Sequence, residues 1–149
     1  MDDITRPSRF DTCIAAHIEQ AYRHLEHVYE RLVAPTGLSV LEWYTLRALY
    51  AEDGLSASRL AALVCRHPSS MTALLNRMQQ RDLLRREVDP ADRRSVRVYL
   101  TERGRAQRPQ VEQVAARLDS LFKDQITAEQ LDTFLHVLLV LQSVPANGG

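Results

Sequence analysis

Glycine is scarce in this 149-residue chain, with five residues in all. Neither a G-x-G-x-x-G turn nor a phosphate-cradling G-x-x-x-x-G-K loop occurs, so a nucleotide-binding fold has no support. Two cysteines, Cys13 and Cys65, are too few for a disulfide scaffold and have no C-x-x-C spacing. No apolar run approaches the ~20 residues that span a bilayer, and the first residues lack a signal-peptide pattern. The expected location is therefore the cytoplasm, with no membrane partner. No set of nucleophile, base and acid stands out, and no metal-ligand spacing does either, so neither an enzyme nor a cofactor is expected. Lysine is almost missing: Lys123 stands alone beside 18 arginines.

What remains is ordinary for a globular chain, with 45% hydrophobic and 26% charged residues. The length fits one domain with a real core. Net charge is zero, yet the charge is segregated. Between Arg59 and Arg108 there are twelve arginines and five carboxylates, a net +7, and the rest of the chain nets −7. A basic middle between acidic ends suggests one working surface for a polyanion. Arginine forks suit phosphates and guanine edges.

Periodicity predicts a long helix over 10–33, ended by Pro35 and Gly37. Ser39-Val40-Leu41-Glu42 reads as a capping box opening a second helix to about Ala51. Glu52-Asp53-Gly54 reads as a turn, and Ser56 as the cap of a short helix bearing Leu60, Leu63 and Val64. Cys65-Arg66-His67 is a tight connection, and Pro68 fits the first position of a helix reaching about Arg81. That helix has Met71, Leu74, Leu75 and Met78 in one arc. Its other arc, with Ser69, Ser70, Thr72, Ala73, Asn76, Arg77 and Gln80, is small, polar and free of carboxylates. The period then changes to two: Leu84, Arg86 and Val88, and later Val96, Val98 and Leu100, flank the polar loop Asp89–Ser95 as a β-hairpin. Thr101 caps a further helix with Pro109 as a kink, and Thr127-Ala128-Glu129-Gln130 opens a last helix. That helix is apolar almost all round, so burial on more than one side is expected.

A short helix, a tight turn and an amphipathic helix with a polar outer face make a helix-turn-helix, and a basic hairpin follows. The major groove admits one helix, whose outer side chains reach base edges, while a narrow minor groove attracts inserted arginine. These features occur together with Gly54-Leu55-Ser56, Leu60-Ala61, Met71 through Met78, Asp89-Pro90-Ala91-Asp92-Arg93-Arg94-Ser95-Val96 and Leu100-Thr101-Glu102-Arg103-Gly104. On these motifs the chain resembles the MarR family of bacterial winged-helix regulators. The resemblance implies a mainly α fold, a winged helix-turn-helix with a small β-hairpin wing and dimerisation helices at both ends. It implies a homodimer, a recognition helix near 68–81, a wing tip at Arg94, and transcriptional control relieved by a small ligand or by oxidation. Asp82-Leu83 departs from the pattern, because the family commonly has Gly before the Leu.

Three stretches of one compact domain are expected: a dimerisation helix over 1–38, the DNA-binding region over 39–100, and C-terminal dimerisation helices over 101–149. The expected partners are a pseudo-palindromic DNA duplex, a second copy and a small effector. Ser69, Ser70, Thr72, Asn76, Arg77, Arg93, Arg94 and Ser95 are the candidate DNA contacts. Asn and Arg suit bidentate readout of adenine and guanine. Asp92 is expected to hold Arg77 or Arg94 by an ion pair. His17, Tyr22, Trp43, Tyr44 and Arg47 are candidates for a pocket taking an aromatic or phenolic carboxylate, although Trp43 and Tyr44 serve equally well as core. His17, His24 and His27 lie near one side of a helix, without the neighbours a metal site needs. Cys13 carries the alternative of a redox-sensing repressor. A winged-helix module binding protein instead of DNA is a further alternative, and the basic block opposes it.

Overall fold

The computed structural model describes residues 13–64 and 68–145. The Cys65–His67 connection and the first residues of the expected opening helix lie outside these. Helix α1 spans Ile14–Val33 and is followed by a 3-10 turn, Ala34–Thr36, which Gly37 stops at φ +71°. Helix α2 (Val40–Ala51) opens on the expected capping box. Ser39 Oγ accepts the Glu42 N–H at 3.3 Å, and the Ser39 N–H donates to Glu42 Oε2 at 2.8 Å. Then come β1 (Leu55–Ser56), α3 (Ala57–Leu63), α4 (Pro68–Gln80), and a hairpin of β2 (Leu84–Val88) and β3 (Val96–Leu100). Helices α5 (Glu102–Ala106), α6 (Arg108–Lys123) and α7 (Ala128–Gln142) complete the order.

The three strands form an antiparallel sheet in the order β1-β3-β2, with Leu84 opposite Leu100 and Val88 opposite Val96. Strand β1 is too short to announce itself by alternation, and only its pairing with Val98 and Arg97 makes it a strand. A single helix kinked at Pro109 was expected after Thr101; two helices are found instead. The Gln107 N–H bonds back to the Gly104 and Arg105 carbonyls, which closes α5. Proline then falls second in α6, where a missing N–H is harmless.

The chain divides into two compact units, Met1–Glu112 and Gln113–Gly149. The first holds the core that positions α4. Met71, Leu74, Leu75 and Met78 are all buried, with Leu46, Leu60, Leu83, Leu84, Val98 and Leu100 also inside. In the second, α7 has no buried residue, and Phe134, Leu135, Leu139 and Val140 are each half-exposed or more. The burial expected of α7 is thus not seen among the described residues.

Two glycines differ sharply in what they permit. A Cβ on Gly104 would lie 2.0 Å from the Leu83 carbonyl oxygen, a backbone atom that cannot step aside. A Cβ on Gly37 would meet nothing within 4 Å, leaving only the left-handed φ to oppose it. Gly104→Ala should therefore destabilise by about 3 kcal/mol or more, at or beyond the upper end of overpacking costs. Gly37→Ala should cost only about 1–2 kcal/mol, the cost of a left-handed non-glycine residue. Urea unfolding midpoints check this, and equal losses would contradict it.

Candidate nucleic-acid interface

The outward arc of α4 follows from its packing. With Met71, Leu74, Leu75 and Met78 buried at 2%, 3%, 2% and 0% exposure, helical geometry turns Ser69, Ser70, Thr72, Asn76 and Arg77 outward, and all five are exposed. No acidic residue lies on this helix.

The end of α4 is tied to α2 by a buried carboxylate. Glu42 is 2% exposed. Its Oε2 accepts from Ser39 N–H and from Arg81 Nη1, at 2.8 and 2.9 Å, while Arg81 Nη2 donates to the Gly37 carbonyl at 2.8 Å. Oε1 has no hydrogen bond but faces Arg77 Nε at 3.4 Å. Burial alone would push the Glu42 carboxyl up; the Ser39 N–H and the Arg81 guanidinium outweigh it and hold the pKa below its ordinary value. Asp92 was expected to pair with Arg77 or Arg94. Arg77 pairs with Glu42 instead, and Asp92 Oδ1 accepts the backbone N–H of Arg94 at 3.0 Å, an Asx turn that shapes the tip.

The hairpin is anchored at its base. Asp89 is buried, and its Oδ1 accepts the Ala91 N–H at 2.9 Å. Its Oδ2 accepts from Arg97 Nε at 2.6 Å, and Arg97 Nη1 also reaches the Gly54 carbonyl at 3.1 Å. The Ala91 N–H is the largest influence lowering the Asp89 pKa, with Arg97 adding to it. Gly54, at φ +85°, has the Tyr99 ring where a side chain would stand. Arg85 lies over the other partner of that pairing, its guanidinium 4.9 Å from the Tyr99 ring centre. Arg93 and Arg94 are exposed at the tip, and Ser95 is half-buried behind them. Val88 and Val96, paired at the loop end of the hairpin, are 62% and 36% exposed, while Leu84 and Leu100 at its root are buried. Residues of α3, α4 and both wing strands line one cleft of about 580 Å³, with Thr72 and Leu75 on one wall and Arg86 and Val96 on another.

Two contacts of this surface escape periodicity. Arg86 Nε donates to Gln79 Oε1 at 2.8 Å and Arg86 Nη2 to Asn76 Oδ1 at 2.7 Å, joining wing and helix. The available signal was an arginine at the inward parity of β2, between Leu84 and Val88. At residue 82, where a glycine is common in the family pattern, Asp82 adopts φ +55°. The turn keeps the left-handed shape with a residue type that tolerates it.

The candidate pocket residues are only partly brought together. Tyr22 and Tyr44 line a cavity of about 810 Å³ with Tyr29, Glu26, Leu38 and Val40. The Tyr22 hydroxyl donates to Glu26 Oε1 at 2.9 Å, and burial pushes the Tyr44 phenol well up. Trp43 belongs to the core: it is 1% exposed and its Nε1 donates to the Val111 carbonyl at 3.1 Å. Arg47 lies 4.9 Å above the Trp43 ring and lines a neighbouring cleft of about 400 Å³, sharing Tyr44, Leu63 and Val64 with the larger cavity. His17 lines neither. Cys13 is exposed just before α1, and Cys65 lies outside the described residues. Among the described residues no group of three His, Cys, Asp or Glu is placed to hold a metal, and no helix is long and apolar enough to cross a membrane.

A three-stranded wing joined to a polar-faced helix is a known arrangement, and comparison with known proteins identifies it. The family model described as MarR family matches residues 36–95. The HTH-type transcriptional repressor Rv2887 of Mycobacterium tuberculosis is 31% identical over 111 residues, covering 74% of this chain and 80% of that protein. The chain belongs to the MarR family. This MarR-family protein is a DNA-binding transcriptional regulator with a winged helix-turn-helix fold. The repressor CouR, solved bound to a 23-mer DNA duplex, superposes with a TM-score of 0.82 at 21% identity, covering 94% of this chain and 99% of that one. BpsR of Bordetella bronchiseptica, whose DNA binding is regulated by 6-hydroxynicotinic acid, superposes at 0.83 with 20% identity, covering 94% and 100%.

The two carboxyls with lowered pKa values set an acid limit. Each contributes stability that is fully present above the ordinary carboxylate pKa of about 4 and is lost as pH falls through the depressed folded value. Urea midpoints of the wild type should fall as pH passes down through that range. Glu42→Gln should be less stable at neutrality and show a shallower acid dependence. A parallel displacement of the two curves would contradict the role given to Glu42.

Proposed function

We propose that this regulator is a homodimeric repressor. Each copy lays the outer face of α4 in the major groove and the Arg93-Arg94 tip in the adjacent minor groove, and a small aromatic ligand releases both. The observation that carries the DNA reading is the carboxylate-free exposed face of α4 held to a basic wing through Arg86. Ser69, Ser70, Thr72, Asn76 and Arg77 face the groove, with Arg93, Arg94 and Ser95 on the backbone and minor-groove edge. The unburied apolar side chains of α7 support pairing with a second copy. Two-fold pairing sets half-sites about 34 Å apart, so a small change in spacing prevents both from docking.

The ligand reading rests on the tyrosine-lined cavity, with Arg47 next to it across Tyr44. An aromatic ring stacks against Tyr22 and Tyr44 while a carboxylate or phenolate turns toward Arg47. The wall of that cavity includes Val40 and Leu41, in the first turn of the helix whose Glu42 holds Arg77 and Arg81. Ligand and recognition helix thus act on the same few residues of α2. BpsR, a relative in fold, answers to an aromatic hydroxy acid.

The test is equilibrium DNA binding over a salt series, followed by ligand titration. Arg94→Ala should weaken binding to all sequences and make the slope of log K against log salt shallower by about one. Unchanged affinity and slope would remove the wing from the interface. Arg47→Ala should raise several-fold the concentration of aromatic acid needed for release, with ligand-free binding intact. If aromatic acids fail, and peroxide releases the wild type but not Cys13→Ser, the exposed Cys13 is the sensor instead.

A further inference from the structure

Asparagine in a recognition helix ordinarily reads adenine, because its carbonyl accepts from N6 while its amide N–H donates to N7. Here that carbonyl is engaged. Asn76 Oδ1 receives Arg86 Nη2 at 2.7 Å, and one turn along the helix Gln79 Oε1 receives Arg86 Nε at 2.8 Å. A guanidinium has donors only, so turning either amide over would set donor against donor. One fork thus fixes the orientation of two exposed amides, and both contacts are charge-assisted. Arg86 comes from β2, on the face whose neighbour Leu84 is buried, so the fork is supplied by the wing and not by the helix itself.

We infer that Arg86 is a specificity-positioning residue that makes Asn76 present its N–H2 to DNA, selecting a base edge rich in acceptors, guanine N7 and O6 or thymine O4, against adenine. The inference rests on the reading of α4 as the helix in the major groove. Gln79 is oriented in the same sense, and Arg86 acts through both amides without needing to touch a base.

The experiment is selection from a randomised duplex pool with the full-length protein, followed by competition binding at each position of the selected site. Asn76→Ala identifies the position that Asn76 reads, since preference there should flatten while the rest of the site persists. At that position the wild type should favour guanine or thymine over adenine by about tenfold, within the range of a good base contact. The selection itself tells guanine from thymine; where guanine is selected, 7-deazaguanine in its place should lose affinity only if N7, and not O6, is the acceptor. Arg86→Ala should raise relative binding of the adenine-substituted site about tenfold, over a uniform loss of affinity for all sites. Arg86→Lys keeps the charge but lacks the fork, and should relax adenine rejection in the same direction; it also serves if the alanine variant does not fold. Asn76→Ala/Arg86→Ala should match Asn76→Ala alone at this position. A site read as adenine by the wild type, or adenine rejection intact in both Arg86 variants, overturns the inference while leaving α4 as the reading helix. A selected site that Asn76→Ala leaves unchanged overturns the inference and the assignment of Asn76 together.

Discussion

The Glu42 carboxylate is buried where an isolated charge would be untenable; the Ser39 N–H and the Arg81 guanidinium keep it ionised, and Arg77 faces its other oxygen. The Ser39 N–H comes from its own helix cap, while Arg77 comes from α4 and Arg81 from the residue that follows it. The clasp ties the start of α2 to the end of α4 and so sets how α4 stands on the core. It also gives Arg77 two environments. The side chain is 57% exposed, yet its Nε lies beside a buried anion. Removing the arginines would leave the Glu42 carboxylate uncompensated in a dry place, whereas the arginines themselves keep access to water.

The wing depends on a second, smaller set of constraints. Asp89 and Arg97 close the base of the loop, Gly54 lets the chain pass beneath Tyr99, and Gly104 lets α5 approach the Leu83 carbonyl. Tyr50 adds a bond across the same region, its hydroxyl donating to the Gly104 carbonyl at 2.7 Å. With the root held this way, the exposed tip needs no packing of its own, and Arg93 and Arg94 stand exposed on it.

Much of this organisation was legible in the chain. The cap of α2, the buried arc of α4, the two paired runs of the hairpin and the caps at Ser56, Thr101 and Thr127 are local features, governed by spacing within a few residues. What escaped is set by contacts distant in sequence. Glu42 reads as an ordinary capping-box residue until Arg81, 39 positions on, is brought against it. Arg86 reads as a solvated strand arginine until Asn76 and Gln79 are beside it. Strand β1 exists only because Val98 and Arg97 offer it a partner, and Asp92 caps a turn where charge counting suggests an ion pair. Trp43 could not be sorted between core and pocket without knowing that the Val111 carbonyl awaits its ring N–H.

In the proposed homodimer the surface of α4 and the wing would be one half of a symmetric reader, and the exposed apolar side chains of α7 give a reason for the second half. Hydroxyl-radical footprinting of the full-length protein on its selected duplex, combined with sedimentation of the same complex, tests this most directly. The account predicts two chains per duplex and two protected patches about 10 base pairs apart, one per recognition helix. A single protected patch with one chain per duplex, or uniform protection without regard to sequence, would contradict it.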